Sequence, residues 1–217
     1  MIAVAFAATA AVGGAADSVM RRQADGFLQA LPDGLQQTQT LAVEKAIAGD
    51  NAALLGIDAS RISAGGDSSG GNLALAVALS DECRGALESL VLFYPVTKAF
   101  ADGSESWRRY GSGYGLDADL MEAFNRAYLG GTDSENHAVS VGLCSGEQLR
   151  RLPRTLLVAA GRDILRDQGC ELAEKSGGRI ERVEFPDAVH LFITVPGQDE
   201  AFRKAVDLTY EFITQKQ

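Results

Sequence analysis

Cysteine is scarce in this sequence. Cys83, Cys144 and Cys170 are an odd number with no C-x-x-C spacing, which argues against a disulfide framework and against a zinc site. They read as free thiols in a reducing compartment, so a cytoplasmic location is expected ahead of secretion. Cationic side chains are outnumbered: 20 Lys and Arg stand against 29 Asp and Glu, for a net charge of −9. Phosphate binding needs clustered cations, so the balance argues against nucleic acid as a partner. No apolar run is long enough to span a bilayer. The nearest is Met1–Ala8, which resembles the apolar core of a signal peptide but has no positive charge before it; a buried strand or helix is the preferred reading. Internal repeats and low-complexity segments are absent. Histidine is scarce too, with only His137 and His190.

What remains is ordinary for a globular protein. Of the 217 residues, 46% are apolar and 23% charged, enough for one domain, 1–217, with a sizeable core. The most informative stretch runs from Arg61 to Ala74. A β-prone segment leads into Gly66-Asp67-Ser68-Ser69-Gly70, and after Gly71 the chain becomes an Ala/Leu/Val run suited to a buried helix. G-x-S-x-G between strand and helix is the pattern of a nucleophile elbow, a strained turn that holds a serine hydroxyl clear of the sheet. Glycines flank it because a Cβ would collide where helix and strand approach. The helix start under Ser68 directs backbone N–H groups, that of Ser69 included, toward negative charge forming there. A phosphate-binding loop is the competing use of such a turn, but it requires G-K-[ST], and here Asn72 and Leu73 follow the glycines.

Along the chain, Thr38–Leu55 is expected to be a helix stopped by Gly56, while Ala15–Gln37 has no assignable pattern. Ser89–Tyr94 and Thr155–Ala160 are continuous apolar runs that suit strands buried on both faces of a parallel sheet. Between them, residues 98–150 break the strand–helix rhythm with an aromatic loop (Trp107, Tyr110, Tyr114) and a helix from about Asp117 to Leu129. This region is expected to be a cap-like insert whose aromatics either line a substrate pocket or pack the loop down. A helix from about Leu165 to Lys175, a more polar edge strand Ile180–Phe185, a loop Pro186–Val195 carrying His190, and a helix from about Asp199 to Thr214 complete the chain. The last helix is expected to dock through Phe202, Ala205, Val206, Thr209, Phe212 and Ile213. Alternating strands and helices make this an α/β protein, with a mostly parallel sheet and helices on both faces.

A serine nucleophile needs a base, and the base needs an orienting carboxylate. Functional groups of open α/β sheets gather at the carboxyl ends of strands. His190 meets that condition and His137, in the insert, does not. Asp163, just after a strand, is the better placed acid. Asp167 falls one helical turn later, facing solvent or capping its own helix, and Asp187 shares the loop of the base.

Together, Gly65–Ala74, Asp163-Ile164-Leu165-Arg166-Asp167 and Val189-His190-Leu191-Phe192 resemble the hormone-sensitive-lipase-like family of α/β-hydrolases, mostly bacterial carboxylesterases and acetyl esterases. The chain order Ser68, Asp163, His190 is also the order of that fold. The resemblance covers about Leu41 to the C-terminus, and Phe93-Tyr94-Pro95 is similar to the strand end that follows the elbow helix in these enzymes. It implies Ser68 as nucleophile, His190 as base, Asp163 as acid, short-chain acyl esters as small-molecule substrates and no cofactor or metal. It also makes a homodimer through the edge strand a candidate. The departure is at the front, where the His-Gly-Gly-Gly type oxyanion motif is missing and Gly13-Gly14 is the only upstream glycine pair. The chain therefore resembles a family member lacking its N-terminal strands, and loss of an oxyanion donor costs roughly 10²–10³ in turnover. Two functions follow: a serine carboxylesterase, or an impaired relative that binds a small molecule or partner chain without turning it over.

Overall fold

The computed structural model of the chain describes residues 3–7, 58, 61–81 and 83–215. The expected helix Thr38–Leu55, the segment Ala15–Gln37 and Gly13-Gly14 lie outside the described residues. Five strands form one sheet in sequential order: β1 (Ala3–Ala7), β2 (Ile62–Asp67), β3 (Ser89–Phe93), β4 (Arg154–Arg162) and β5 (Ile180–Val189). Every neighbouring pair is parallel. The described part of the N-terminal apolar run, Ala3–Ala7, is thus a strand, with Ala3 opposite Ile62 and Ala7 opposite Gly66. The helices are α1 (Ser69–Leu79), α2 (Glu105–Tyr110), α3 (Ala118–Leu129), α4 (Gly146–Leu149), α5 (Arg166–Lys175) and α6 (Asp199–Thr214), with a 3₁₀ turn at Val141–Leu143. No helix among the described residues is long and apolar enough to cross a membrane.

The continuous apolar runs read as doubly buried strands because successive side chains point to opposite faces. Leu90 and Leu92 of β3, with Leu157 and Ala159 of β4, pack into a core with Leu75 of α1 and Leu172 of α5. Val91, Phe93, Leu156, Val158 and Ala160, the alternate positions, pack into a second core with Ala205 and Phe212 of α6. Helices therefore cover both faces. A third cluster, Val96, Trp107, Leu116, Met121, Ile164 and Leu165, ties the region after β3 to the end of β4.

Two expectations need correction. The docking face of α6 consists of Ala201, Ala205, Leu208, Phe212 and Ile213, spaced by three, four or one. Phe202 and Val206 sit about 100° around the helix from that row and are 43% and 49% exposed. The loop expected from Pro186 also begins later, because β5 continues to Val189 across a register shift at Ala160/Arg162. Pro186 is tolerated there because β5 ends the described sheet and proline needs no ladder partner at an edge. The shift accommodates close packing of Gly161 on Pro186, where a Cβ on Gly161 would lie 2.4 Å from the Pro186 carbonyl oxygen.

Candidate active site

Ser68 stands between β2 and α1 with φ 51° and ψ −115°, a conformation rare for a residue with a side chain. Local packing enforces it. A Cβ on Gly66 would come within 2.3 Å of the Gly70 backbone, and one on Gly71 within 2.7 Å of the Pro95 ring. Only glycine lets helix and strand approach this closely. The Ser68 N–H donates to Phe93 O at 2.9 Å, and its carbonyl accepts from Val96 N–H at 3.0 Å and Asn72 N–H at 3.2 Å. A serine at a helix N-cap ordinarily turns its hydroxyl back onto the first-turn N–H groups, a contact worth about 1 kcal/mol. Ser68 makes no such bond. Its Oγ lies 3.0 Å from His190 Nε2 instead.

The other imidazole nitrogen faces a carboxylate. His190 Nδ1 is 2.7 Å from Asp163 Oδ2, and Asp163 Oδ1 accepts from Leu165 N–H at 2.9 Å. Asp163 is 1% exposed, His190 3% and Ser68 8%, so the contacts lie in a largely water-excluded site where electrostatic interactions are strong. Asp163 follows the last residue of β4 and His190 the last residue of β5, while Ser68 follows β2. Parallel strands bring all three carboxyl ends to one rim of the sheet. The structure thus joins Ser68, His190 and Asp163 and separates their rivals. His137 lies on an exposed turn of the insert. Asp187 is exposed and pairs with Arg162 at 2.5 Å. Ser69 opens α1, whose first turn carries no acidic residue to offset its N-terminal partial charge.

Asp167 lies in the first turn of α5, as expected, but its half-buried carboxylate is engaged beyond its own helix. Its Oδ2 accepts from Ser106 N–H at 2.8 Å and its Oδ1 from Arg166 Nε at 2.8 Å. Burial would raise its carboxyl, but the Ser106 N–H and the Arg166 guanidinium outweigh that and hold it below the usual carboxylate range. In return, the Ser106 hydroxyl donates to Ile164 O at 2.9 Å. The insert is thereby latched to the turn carrying Asp163. A second latch runs from Asn72 in α1. Its Nδ2 donates to Val96 O and Val139 O, each at 3.0 Å, and its Oδ1 accepts from the Tyr128 hydroxyl at 2.7 Å. The latching contacts of Ser106, Asn72 and Tyr128 carried no sequence signal, since Ser106–Ile164, Asn72–Tyr128 and Asn72–Val96 join residues 58, 56 and 24 apart. Of the insert aromatics, Trp107 is buried in the third cluster, and Tyr110 meets Tyr114 edge-on at 5.0 Å. Among the described residues no group of three or more His, Cys, Asp or Glu is placed to hold a metal ion.

A family model described as alpha/beta hydrolase fold matches residues 25–194. The chain belongs to the α/β-hydrolase fold family. Among curated relatives, this chain is 36% identical over 165 residues to carboxylesterase NlhH of Mycobacterium tuberculosis, covering 70% of this chain and 51% of the relative. It is 32% identical over 172 residues to an ethyl acetate hydrolase of Pseudomonas putida, covering 76% and 54%. Among solved structures, a thermophilic and thermostable carboxylesterase cloned from a metagenomic library superposes with TM-score 0.70 at 31% identity, over 80% of this chain and 62% of that one. A fungal esterase from Rhizomucor miehei gives 0.75 at 28%, over 81% and 58%. The hormone-sensitive-lipase-like resemblance is borne out by these matches. The chain spans about half the length of the curated relatives it matches.

Proposed function

We propose that this α/β-hydrolase cleaves short-chain acyl esters through Ser68, His190 and Asp163, by way of an acyl-serine intermediate. One observation carries the reading: a single buried imidazole reaches the elbow hydroxyl with one nitrogen and a buried carboxylate with the other. An ionised carboxylate only accepts, so Asp163 holds the proton on Nδ1 and leaves the lone pair on Nε2. Ser68 Oγ attacks the acyl carbon as Nε2 takes its proton. The carbonyl oxygen becomes an oxyanion beside the start of α1, where the Ser69 N–H serves as a donor. The imidazolium then protonates the departing alkoxide, and the alcohol leaves. Water repeats the sequence on the acyl-serine, giving its proton to Nε2, and the collapsing intermediate returns that proton to Ser68 as the carboxylic acid is released. Short acyl groups are favoured by the similarity to an ethyl acetate hydrolase. In this reading residues 98–150 act as a cap-like insert over the rim.

Hydrolysis of p-nitrophenyl acetate by the purified chain, beside Ser68→Ala, tests the assignment. Turnover is expected in the parent, with a loss of at least about 10³-fold in the variant. A folded parent that turns over nothing would instead favour the impaired or non-catalytic reading.

A further inference from the structure

Three non-glycine residues among those described have positive φ: Ser68 at 51°, Tyr94 at 35° and Leu191 at 64°. Ser68 and Leu191 are explained by the elbow and by the turn after His190. Tyr94 is not part of the relay, yet such a conformation costs about 1–3 kcal/mol and persists only where surrounding structure over-determines it. Its N–H is held by Val158 O at 2.8 Å, and two residues on, Val96 N–H is held by Ser68 O at 3.0 Å. The intervening Pro95 is wedged against Gly71. The result is a ring 2% exposed, its centroid 4.7 Å from that of His190 with the planes tilted by 58°. Phe192 backs it at 5.5 Å.

We propose that Tyr94 is a positioning residue whose π-electrons hold the His190 ring in the relay and stabilise the positive charge that develops on it in the transition state. The inference rests on the proposed Ser68–His190–Asp163 hydrolysis. The centroid distance is within the about 6 Å over which the face of an aromatic ring attracts a cation, the 58° tilt sets the rings between stacked and edge-on, and both rings are buried. The role needs no hydroxyl; that of Tyr94 is buried, with only a poorly aligned approach to the Ile193 backbone. Burial, with the carboxylates of Asp67 and Asp163, pushes the phenol far above its usual range, so the ring stays neutral. Among the described residues, Asp163 meets His190 at Nδ1 and Ser68 at Nε2.

The test compares kcat and KM for p-nitrophenyl acetate in the parent, Tyr94→Phe, Tyr94→Leu and a chain carrying pentafluorophenylalanine at position 94. The fluorinated ring keeps the shape of Phe but inverts its quadrupole, so it separates electrostatics from packing and remains decisive if the Leu variant does not fold. Tyr94→Phe is expected within about threefold of the parent. The fluorinated chain and Tyr94→Leu are expected to lose roughly three- to thirty-fold in kcat with KM within about twofold. An active parent whose fluorinated chain matches Tyr94→Phe, or whose losses appear in KM alone, overturns this inference and leaves the triad assignment intact. A folded parent without turnover overturns both.

Discussion

Replacing Asp163 by Asn changes one atom and is expected to disable the proposed relay. The carboxylate faces two backbone or ring N–H groups at once, Leu165 N–H through Oδ1 at 2.9 Å and His190 Nδ1 through Oδ2 at 2.7 Å. An asparagine has one oxygen for these two donors, and at 1% exposure no solvent relieves the mismatch. Leu165 N–H is fixed by the backbone, and leaving it against an amide NH₂ costs about 1–3 kcal/mol. His190 escapes by moving its proton from Nδ1 to Nε2. The asparagine oxygen therefore stays on Leu165, its NH₂ donates to Nδ1, and Nε2–H now faces the Ser68 hydroxyl 3.0 Å away. A nitrogen already protonated cannot accept the serine proton. The expected loss in kcat is about 10⁴-fold, as for the wrong-tautomer variant of the Ser-His-Asp template, or about 5 kcal/mol of barrier. Steady-state hydrolysis of p-nitrophenyl acetate reads it, with KM expected within a few-fold. Asp187→Asn, on an exposed carboxylate paired with Arg162, should stay within about twofold. Asp163→Asn within tenfold of a parent that is itself active, or equal losses in both variants, would refute the tautomer argument.

Gly66→Ala should cost more than the about 1–3 kcal/mol of ordinary overpacking, because the new Cβ meets backbone at 2.3 Å and not a movable side chain; a denaturant midpoint shift of less than 1 kcal/mol equivalent would contradict the elbow packing. Asp167→Asn should destabilise by about 1–2 kcal/mol at pH 7. The folded carboxyl titrates below its ordinary value of 3.8, so its contribution is present above that value and is lost as pH falls through the folded pKa. The difference in melting temperature between parent and variant should therefore shrink below about pH 4. Phe212→Ala is expected to cost about 3–5 kcal/mol, since the side chain is buried in the second core and its ring carries the Arg154 guanidinium at 4.1 Å. Phe202→Ser, on the exposed side of the same helix, should stay within about 0.5 kcal/mol; chemical denaturation separates the two.

The resemblances and dissimilarities between sequence and fold have a common cause. Elements defined by local pattern were legible: the doubly apolar runs became β3 and β4, and the glycines around Ser68 became a turn in which Gly66 and Gly71 leave no room for a Cβ. The face of α6 was misjudged because Phe202 and Val206 are apolar in composition but fall beside, not on, the row meeting the sheet. The outward contact of Asp167 was missed for a different reason, as its partner Ser106 comes from an insert 61 residues earlier. Tyr94 stood in plain view before Pro95, yet nothing in the residue types announces a positive φ.

The sequence by itself determined the class of fold, the position of the elbow and the shortlist of functional groups, because strand periodicity, glycine sterics and the scarcity of histidine are properties of adjacent residues or of composition. Only the tertiary structure decided which carboxylate meets His190, what the insert holds in place and what packs against the imidazole. Those are contacts between segments 27 to 122 residues apart, set by parallel strands that bring their carboxyl ends to one rim. No local pattern encodes such a distance, since it depends on how the whole sheet pairs.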